Sequence, residues 1–240
     1  MMKMRLALNE SGGLIEFEVV YSKRRTMAIK IDANGNIRVY VPKGTSRRTI
    51  EDMVSSKADW IIKNLHEIKS TRAQEVKREY IDGEYFMYLG HDYPLQLKVN
   101  PEINKMTVRL SEGRFLVDTP VADAAVIRGG LEAWYRVMGA DHINARLNYY
   151  QSLLDVSPSR VTIRNQKTRW GSCSSKGSLN FNWRLMMAPV EVVDYVVVHE
   201  LCHMIHPNHS KNFWNQVSAI LPDYRARKDW LKKNGSRLIL

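Results

Sequence analysis

The sequence predicts an α+β fold, with a β-hairpin-rich part over residues 1–118 and a helical part over residues 119–240. Three observations predict it. Up to residue 118, short apolar segments alternate at period two and are separated by turn residues. Beyond it, apolar positions recur at three- and four-residue spacing over long stretches. Near the C-terminal end, an apolar helical stretch carries two histidines one turn apart with a glutamate between them. A chain of 240 residues suits one large domain or two small ones and can bury a substantial core.

The elements follow in order. Leu14 to Tyr21 reads as a strand, and "TMAIKID" and "NIRVYVP" read as two more joined by "ANG", a hairpin-turn signal. Between the first two lies a basic turn, Ser22 to Arg25, whose bland reading is a solvated surface and whose functional reading is phosphate binding. Ser46 is placed to cap a helix running to about residue 77, with Ile50, Met53, Val54, Ile61 and Leu65 at helical spacing. Two further hairpins follow, turning at "LGHDY" and "SEGR". Pro120 opens a long helix to about Asp155, weakened at Gly129 and Gly130. "VTIRN" and "SLNFNW" read as strands flanking a polar loop, "QKTRWGSCSSKG". Pro189 fits the first turn of the next helix, which is apolar on most sides and therefore buried. Helices over Lys211 to Leu221 and Pro222 to Lys233 complete the chain.

Composition narrows the classes. Hydrophobic residues are 44% and charged residues 25%, as in globular proteins. The longest apolar run is Tyr85 to Leu89, far short of the roughly 20 residues of a membrane helix. Lys3 and Arg5 are followed only by "LAL", too short for a signal-peptide core. Cys173 and Cys202 are too few for a disulfide framework or a four-cysteine zinc module. We therefore expect a reducing, cytoplasmic setting and no membrane partner. The net charge of +11 favours anionic partners, nucleotide or nucleic acid, although solubility alone also explains it. The oligomeric state is not legible in the sequence.

Four of the seven histidines lie between His199 and His209. His199-Glu200-Leu201-Cys202-His203 matches H-E-x-x-H. Histidines at i and i+4 share a helix face, so both imidazoles can reach one ion. Glu200 falls at the edge of that face, where it can take a proton from water. A hydrolytic zinc site takes three protein ligands and leaves one position open. Pro207 disfavours helical geometry at His206, so the helix ends near Ile205 and the turn favours His209 as third ligand. The competitors are His206 and a carboxylate from Asp223 or Asp229. The spacing is that of H-E-x-x-H-x-x-G-x-x-H with His206 in place of glycine, which leaves Asn208 to accept any turn needing positive φ. His206 is then a residue beside the ligands or facing substrate.

"VVDYVVVHELCHMIHPNHSKNFW" and "KTRWGSCSSKGSLNFNWRLMMAP" resemble the YgjP-like metallopeptidase-domain family of metal-dependent hydrolases. "SKRRTMAIKI", "VYVP" and "YIDGEYFMYLG" extend the resemblance over nearly the whole chain, and more distantly it reaches the WLM and SprT-type metalloproteases. The resemblance implies a zincin-like helical catalytic domain with the H-E-x-x-H helix and a small sheet. It assigns Zn²⁺ to His199, His203 and His209 and the general base to Glu200. The expected activity is zinc-dependent hydrolysis of a peptide or protein.

Other residues divide between function and packing. In "TRWGSCS", Arg169 and Trp170 belong either to the rim of an active site or to a glycine turn with Trp170 in the core. Tyr195, one turn before His199, either supports an oxyanion or packs, and packing is the stronger reading. Cys202 reads as a small core residue, and Phe213-Trp214 as the anchor of the next helix beneath the site. Two other functions compete. The charge allows hydrolysis of nucleoside triphosphates, but no Walker-type loop is present, and histidine ligands suit zinc rather than Mg²⁺. A basic nucleic-acid-binding module with a structural metal is the third, and Glu200 with an open coordination position argues against it.

Overall fold

The computed structural model describes residues 2–7, 14–32, 34–73, 78–166 and 168–240. It divides into two compact units, residues 1–76 and 77–240.

In the first unit, β1 (Met2–Ala7), β2 (Leu14–Ser22), β3 (Ala28–Ile31) and β4 (Ile37–Pro42) form one sheet in the order β1-β2-β4-β3. The predicted alternation holds: Ile15, Phe17 and Val19 of β2 and Ile37, Val39 and Val41 of β4 point into the core, while Glu16 and Arg38 face outward. β1 comes from the opening segment that the sequence pattern left unassigned, and it pairs antiparallel with β2. In the β3–β4 turn, Asp32 accepts from the backbone N–H groups of Asn34 and Asn36 at 2.8 and 3.0 Å, and Gly35 takes φ +80°. Ala33, inside the predicted turn, lies outside the described residues.

The single helix expected over 46–77 is two, α1 (Arg47–Ser55) and α2 (Ala58–Ala73). Ser46 caps α1 as expected, accepting from Thr49 N–H at 3.1 Å. The break follows from Ser56, whose hydroxyl donates to the Met53 carbonyl at 2.8 Å and competes with the helix ladder. Ile50 and Val54 of α1 and Ile61 of α2 close the core of the unit. Residues 74–77 of the predicted helix lie outside the described residues.

The second unit holds β5 (Tyr85–Tyr88), β6 (His91–Val99), β7 (Thr107–Ser111) and β8 (Arg114–Thr119), with sheet order β5-β6-β8-β7. α3 (Ala124–Leu154) follows, capped by Asp123, whose side chain accepts from Val126 N–H at 2.9 Å. Gly130 does not merely weaken α3: a Cβ there would stand 1.5 Å from Met106 Cε, so the glycine makes room for Met106. The sequence divided the chain near 118, and the units instead divide near 76. Phe86, Leu95, Phe115 and Val117 of this sheet share one core with Leu131 and Tyr135 of α3 and with the helices beyond. An alternating strand shows which face is buried, not which core it is buried in.

β9 (Arg160–Arg164), β10 (Gly171–Cys173) and β11 (Ser178–Asn182) make a small sheet ordered β10-β11-β9. β10 lies inside the stretch expected to be a loop; at three residues it is too short to show a period. A 3₁₀ turn over Trp183–Met187 leads to α4 (Val190–Ile205), then α5 (Lys211–Ile220) and α6 (Tyr224–Asn234). Pro189 stands at the N-cap of α4, one position before the first turn. Among the described residues, no helix is long and apolar enough to cross a membrane.

Candidate metal centre

α4 is buried on nearly every side, Val192 to Val198 and Glu200 to Cys202 all lying in the interior. That burial fixes the helix, and its pitch fixes His199 and His203 on one face with ring centroids 4.8 Å apart. The helix ends at His206, which takes extended φ −124° and ψ 104° ahead of Pro207. The chain then returns His209 to the helix face. Its Nε2 lies 3.2 Å from Nε2 of His203 and 3.2 Å from Nε2 of His199. The turn uses no left-handed residue among those described, contrary to the role expected of Asn208. Asn208 instead accepts from Ser210 N–H at 3.2 Å, and His206 in extended backbone needs no glycine.

Two of the separations, both to His209, match a tetrahedral cation, whose ligands at the usual Zn–N length of 2.0–2.1 Å stand about 3.3 Å apart, and the three ligand atoms all lie within 4.8 Å of one another. Their chemistry agrees. His203 Nδ1 faces the His206 carbonyl at 3.1 Å, and because a carbonyl only accepts, Nδ1 carries a hydrogen there, which leaves Nε2 as the ligand atom. His206 thus serves through its backbone oxygen rather than its ring. Burial, with help from His203 and His209, pushes the His199 imidazole down to about 3, so it is neutral. His199 Nδ1 is buried and has no hydrogen-bond partner among the described residues, and Phe213 and Tyr195 pack against its ring. Phe213, fully buried, lies beneath all three imidazoles at centroid distances of 4.5, 4.9 and 5.0 Å. Trp214 stacks on His209 at 5.6 Å and 20°, and also on Tyr224 at 5.3 Å and 17°. Lys228 Nζ lies over the Trp214 ring at 4.3 Å.

Glu200 is 5% exposed and borders the same cleft. Burial pushes its carboxyl up to about 7, against the opposing pull of Arg169. Gly171 of β10 is what admits it. A Cβ at 171 would stand 2.6 Å from Glu200 Oε1 and 2.7 Å from its Cγ. Sequence reasoning missed Gly171, although the glycine inside "TRWGSCS" was the signal. The cleft measures about 550 Å³ and is lined by Arg169, β10, the three histidines and Glu200.

The remaining predicted residues separate. Arg169 lines the cleft. Trp170 does not: its ring packs on Gly235, where a Cβ would approach within 2.8 Å of Cζ2. Tyr195 is buried with its ring 5.7 Å from His199, and it packs there rather than lining the cleft. Cys202 is fully buried and its thiol is pushed up to about 12 by burial, as suits a core residue. Asp223, a competitor for the third ligand, pairs with Arg227 at 2.9 Å. His199, His203 and His209 are the group of side chains among those described that converges on one point with metal-ligand geometry.

Three comparisons bear on identity. No curated protein matches the chain. Among solved structures it is similar to the metallopeptidase zymogen abylysin of Pyrococcus abyssi, at 24% identity and a TM-score of 0.34, over 36% of this chain and 89% of that one. The family described as YgjP-like, metallopeptidase domain, matches residues 25–234, which takes in β3 through α6 and every residue of the cleft. The chain belongs to the YgjP-like metallopeptidase-domain family.

Proposed function

We propose that this chain is a zinc-dependent peptidase of the zincin type, with His199, His203 and His209 as metal ligands and Glu200 as general base. Family membership supports a metal-dependent peptidase in general. The observation that carries the finer reading is the pair of 3.2 Å contacts among three imidazole Nε2 atoms beside a carboxylate that is 5% exposed.

Zinc held by three imidazoles supplies Lewis acidity, polarising a substrate carbonyl and acidifying water at its open position. The chain's own residues do the rest. Glu200, with its carboxyl near neutrality, takes the proton of the attacking water and delivers it to the leaving amine. The His203–His206 contact holds one ligand in the productive tautomer. Phe213 closes the floor beneath the rings and excludes water from that side. β10 is an edge strand of its sheet, and an extended peptide adds beside it along the cleft.

The test is Glu200→Gln, which keeps the shape and removes the base. The variant should retain zinc by elemental analysis and lose at least about a hundredfold in peptide hydrolysis. Hydrolysis at the wild-type rate would overturn the assignment of Glu200.

A further inference from the structure

A second pocket shares Arg169 with the metal cleft. It measures about 380 Å³. Arg169, Arg184 and Lys232 supply three cations to its lining, and no acidic residue is among the described residues there. None of the three forms an ion pair among the described residues. Glu132 acts on Arg184 only at a distance and is itself held by Arg136 at 2.7 Å. A lining with three cations and no acidic residue favours an anionic group in the pocket.

The pocket wall is fixed before any ligand arrives. Asn182, 3% exposed, donates from Nδ2 to the carbonyls of Gln166 at 2.7 Å and Arg169 at 3.2 Å. Its backbone N–H donates to the Trp170 carbonyl at 2.8 Å, and its Oδ1 accepts from Arg184 N–H at 3.2 Å. One buried amide therefore ties the segment bearing Arg169 to the one bearing Arg184. Trp170 seals the base against Gly235. Arg184 also lies over the Trp183 ring at 5.2 Å, which restricts its guanidinium.

Placement relative to the chemistry is short. Arg169 stands two residues from Gly171, which touches Glu200, so the two are at most about 7 Å apart along the backbone. Two residues of an extended peptide cover that length. A planar guanidinium matches a carboxylate in geometry as well as charge, and Leu231 and Ile239 line the same pocket with apolar surface. We infer that this pocket holds a carboxylate of the peptide substrate, within about two residues of the cleaved bond. The carboxylate comes either from a free C-terminus or from an Asp or Glu side chain. The inference rests on the peptidase reading for the word substrate, but the pocket's preference for carboxylate can be measured without turnover.

The experiment uses zinc-loaded Glu200→Gln protein and fluorescence anisotropy. The probes are N-terminally dye-labelled hexapeptide pools, degenerate at four positions: one with a free C-terminus, one amidated, and one amidated with a fixed internal Asp. At least one carboxylate pool should bind about tenfold or more tightly than the amidated pool, the scale of a charge-assisted contact. The pool that gains identifies the source. Arg184→Met, added to that protein, should bring the ratio to near one, and Lys232→Gln, at an exposed position, should reduce it even if the first variant folds poorly. Equal binding of all pools, no binding of any, or an unchanged ratio in both variants overturns the inference. Cleavage of the same pools by the unsubstituted protein is scored separately. An intact carboxylate preference without cleavage would remove the peptidase reading and leave the carboxylate site standing.

Discussion

Two walls of the candidate metal cleft hold their imidazoles by different means. On one wall, His199 and His203 ride a helix buried on nearly every side, and His203 is further fixed by the His206 carbonyl at 3.1 Å. On the other, His209 sits on an exposed turn, and among the described residues no backbone carbonyl holds its ring as His206 holds His203. Its ring is held by the faces of Trp214 and Phe213, with Lys228 over the far ring. Ligand position on the first wall is a property of the fold. On the second it is a property of one stack of side chains.

That contrast can be broken experimentally. The largest effect belongs to the helix wall. His199→Ala and His203→Ala should each abolish stoichiometric zinc, read by elemental analysis after dialysis, because no other described side chain converges there. Gly171→Ala comes next. The added Cβ drives into the Glu200 carboxylate, so peptide hydrolysis should fall about a hundredfold while zinc content stays whole. On the stacked wall the loss should be partial. Trp214→Ala should weaken zinc about tenfold to a hundredfold, and Trp214→Phe should restore most of it, with competition against a chromophoric chelator as the readout. Equal zinc affinity in Trp214→Ala would show that the turn positions His209 without the stack.

Glu200 gives a pH signature in zinc-free protein. Its folded pKa is raised, from 4.5 to about 7. The folded state therefore holds the proton more tightly than the unfolded chain. That contribution is fully present below 4.5 and is lost as pH rises through 7. Its scale is about 3 kcal/mol. Urea unfolding of zinc-free protein, compared with Glu200→Gln, should show the wild type losing stability relative to the variant as pH rises from 4.5 to 7.5. A constant difference would mean that burial does not hold the proton on Glu200. The smallest effect should be that of His206→Ala, within about twofold in zinc affinity, since its contribution is a backbone oxygen that alanine keeps.

Much of this was legible in the residues, for reasons that explain what was not. Helical pitch placed His199 with His203, and Pro207 forced the chain out of the helix where it had to turn to bring His209 back. Both are local rules of backbone geometry. Asn208 was assigned a left-handed turn because a glycine was missing from the familiar spacing, yet extended backbone at His206 satisfies the same path. Gly171 was opaque because its meaning is a contact with Glu200, 29 positions away in the sequence. Trp170 illustrates the same limit: its segment allows either a cleft rim or a packed turn, and the contact with Gly235 decides for packing. The compact units divide near 76 rather than at the 118 read from the sequence for a related reason, since β5 to β8 share a core with α3.

The central claim is a site of three imidazoles with one position left for solvent. X-ray absorption at the zinc edge of the loaded protein tests it most directly. The expected shell is three nitrogens of imidazole type and one oxygen, all at about 2.0–2.1 Å. A sulfur scatterer at about 2.3 Å, which Cys173 or Cys202 would supply, or a fourth imidazole closing the site, would contradict it.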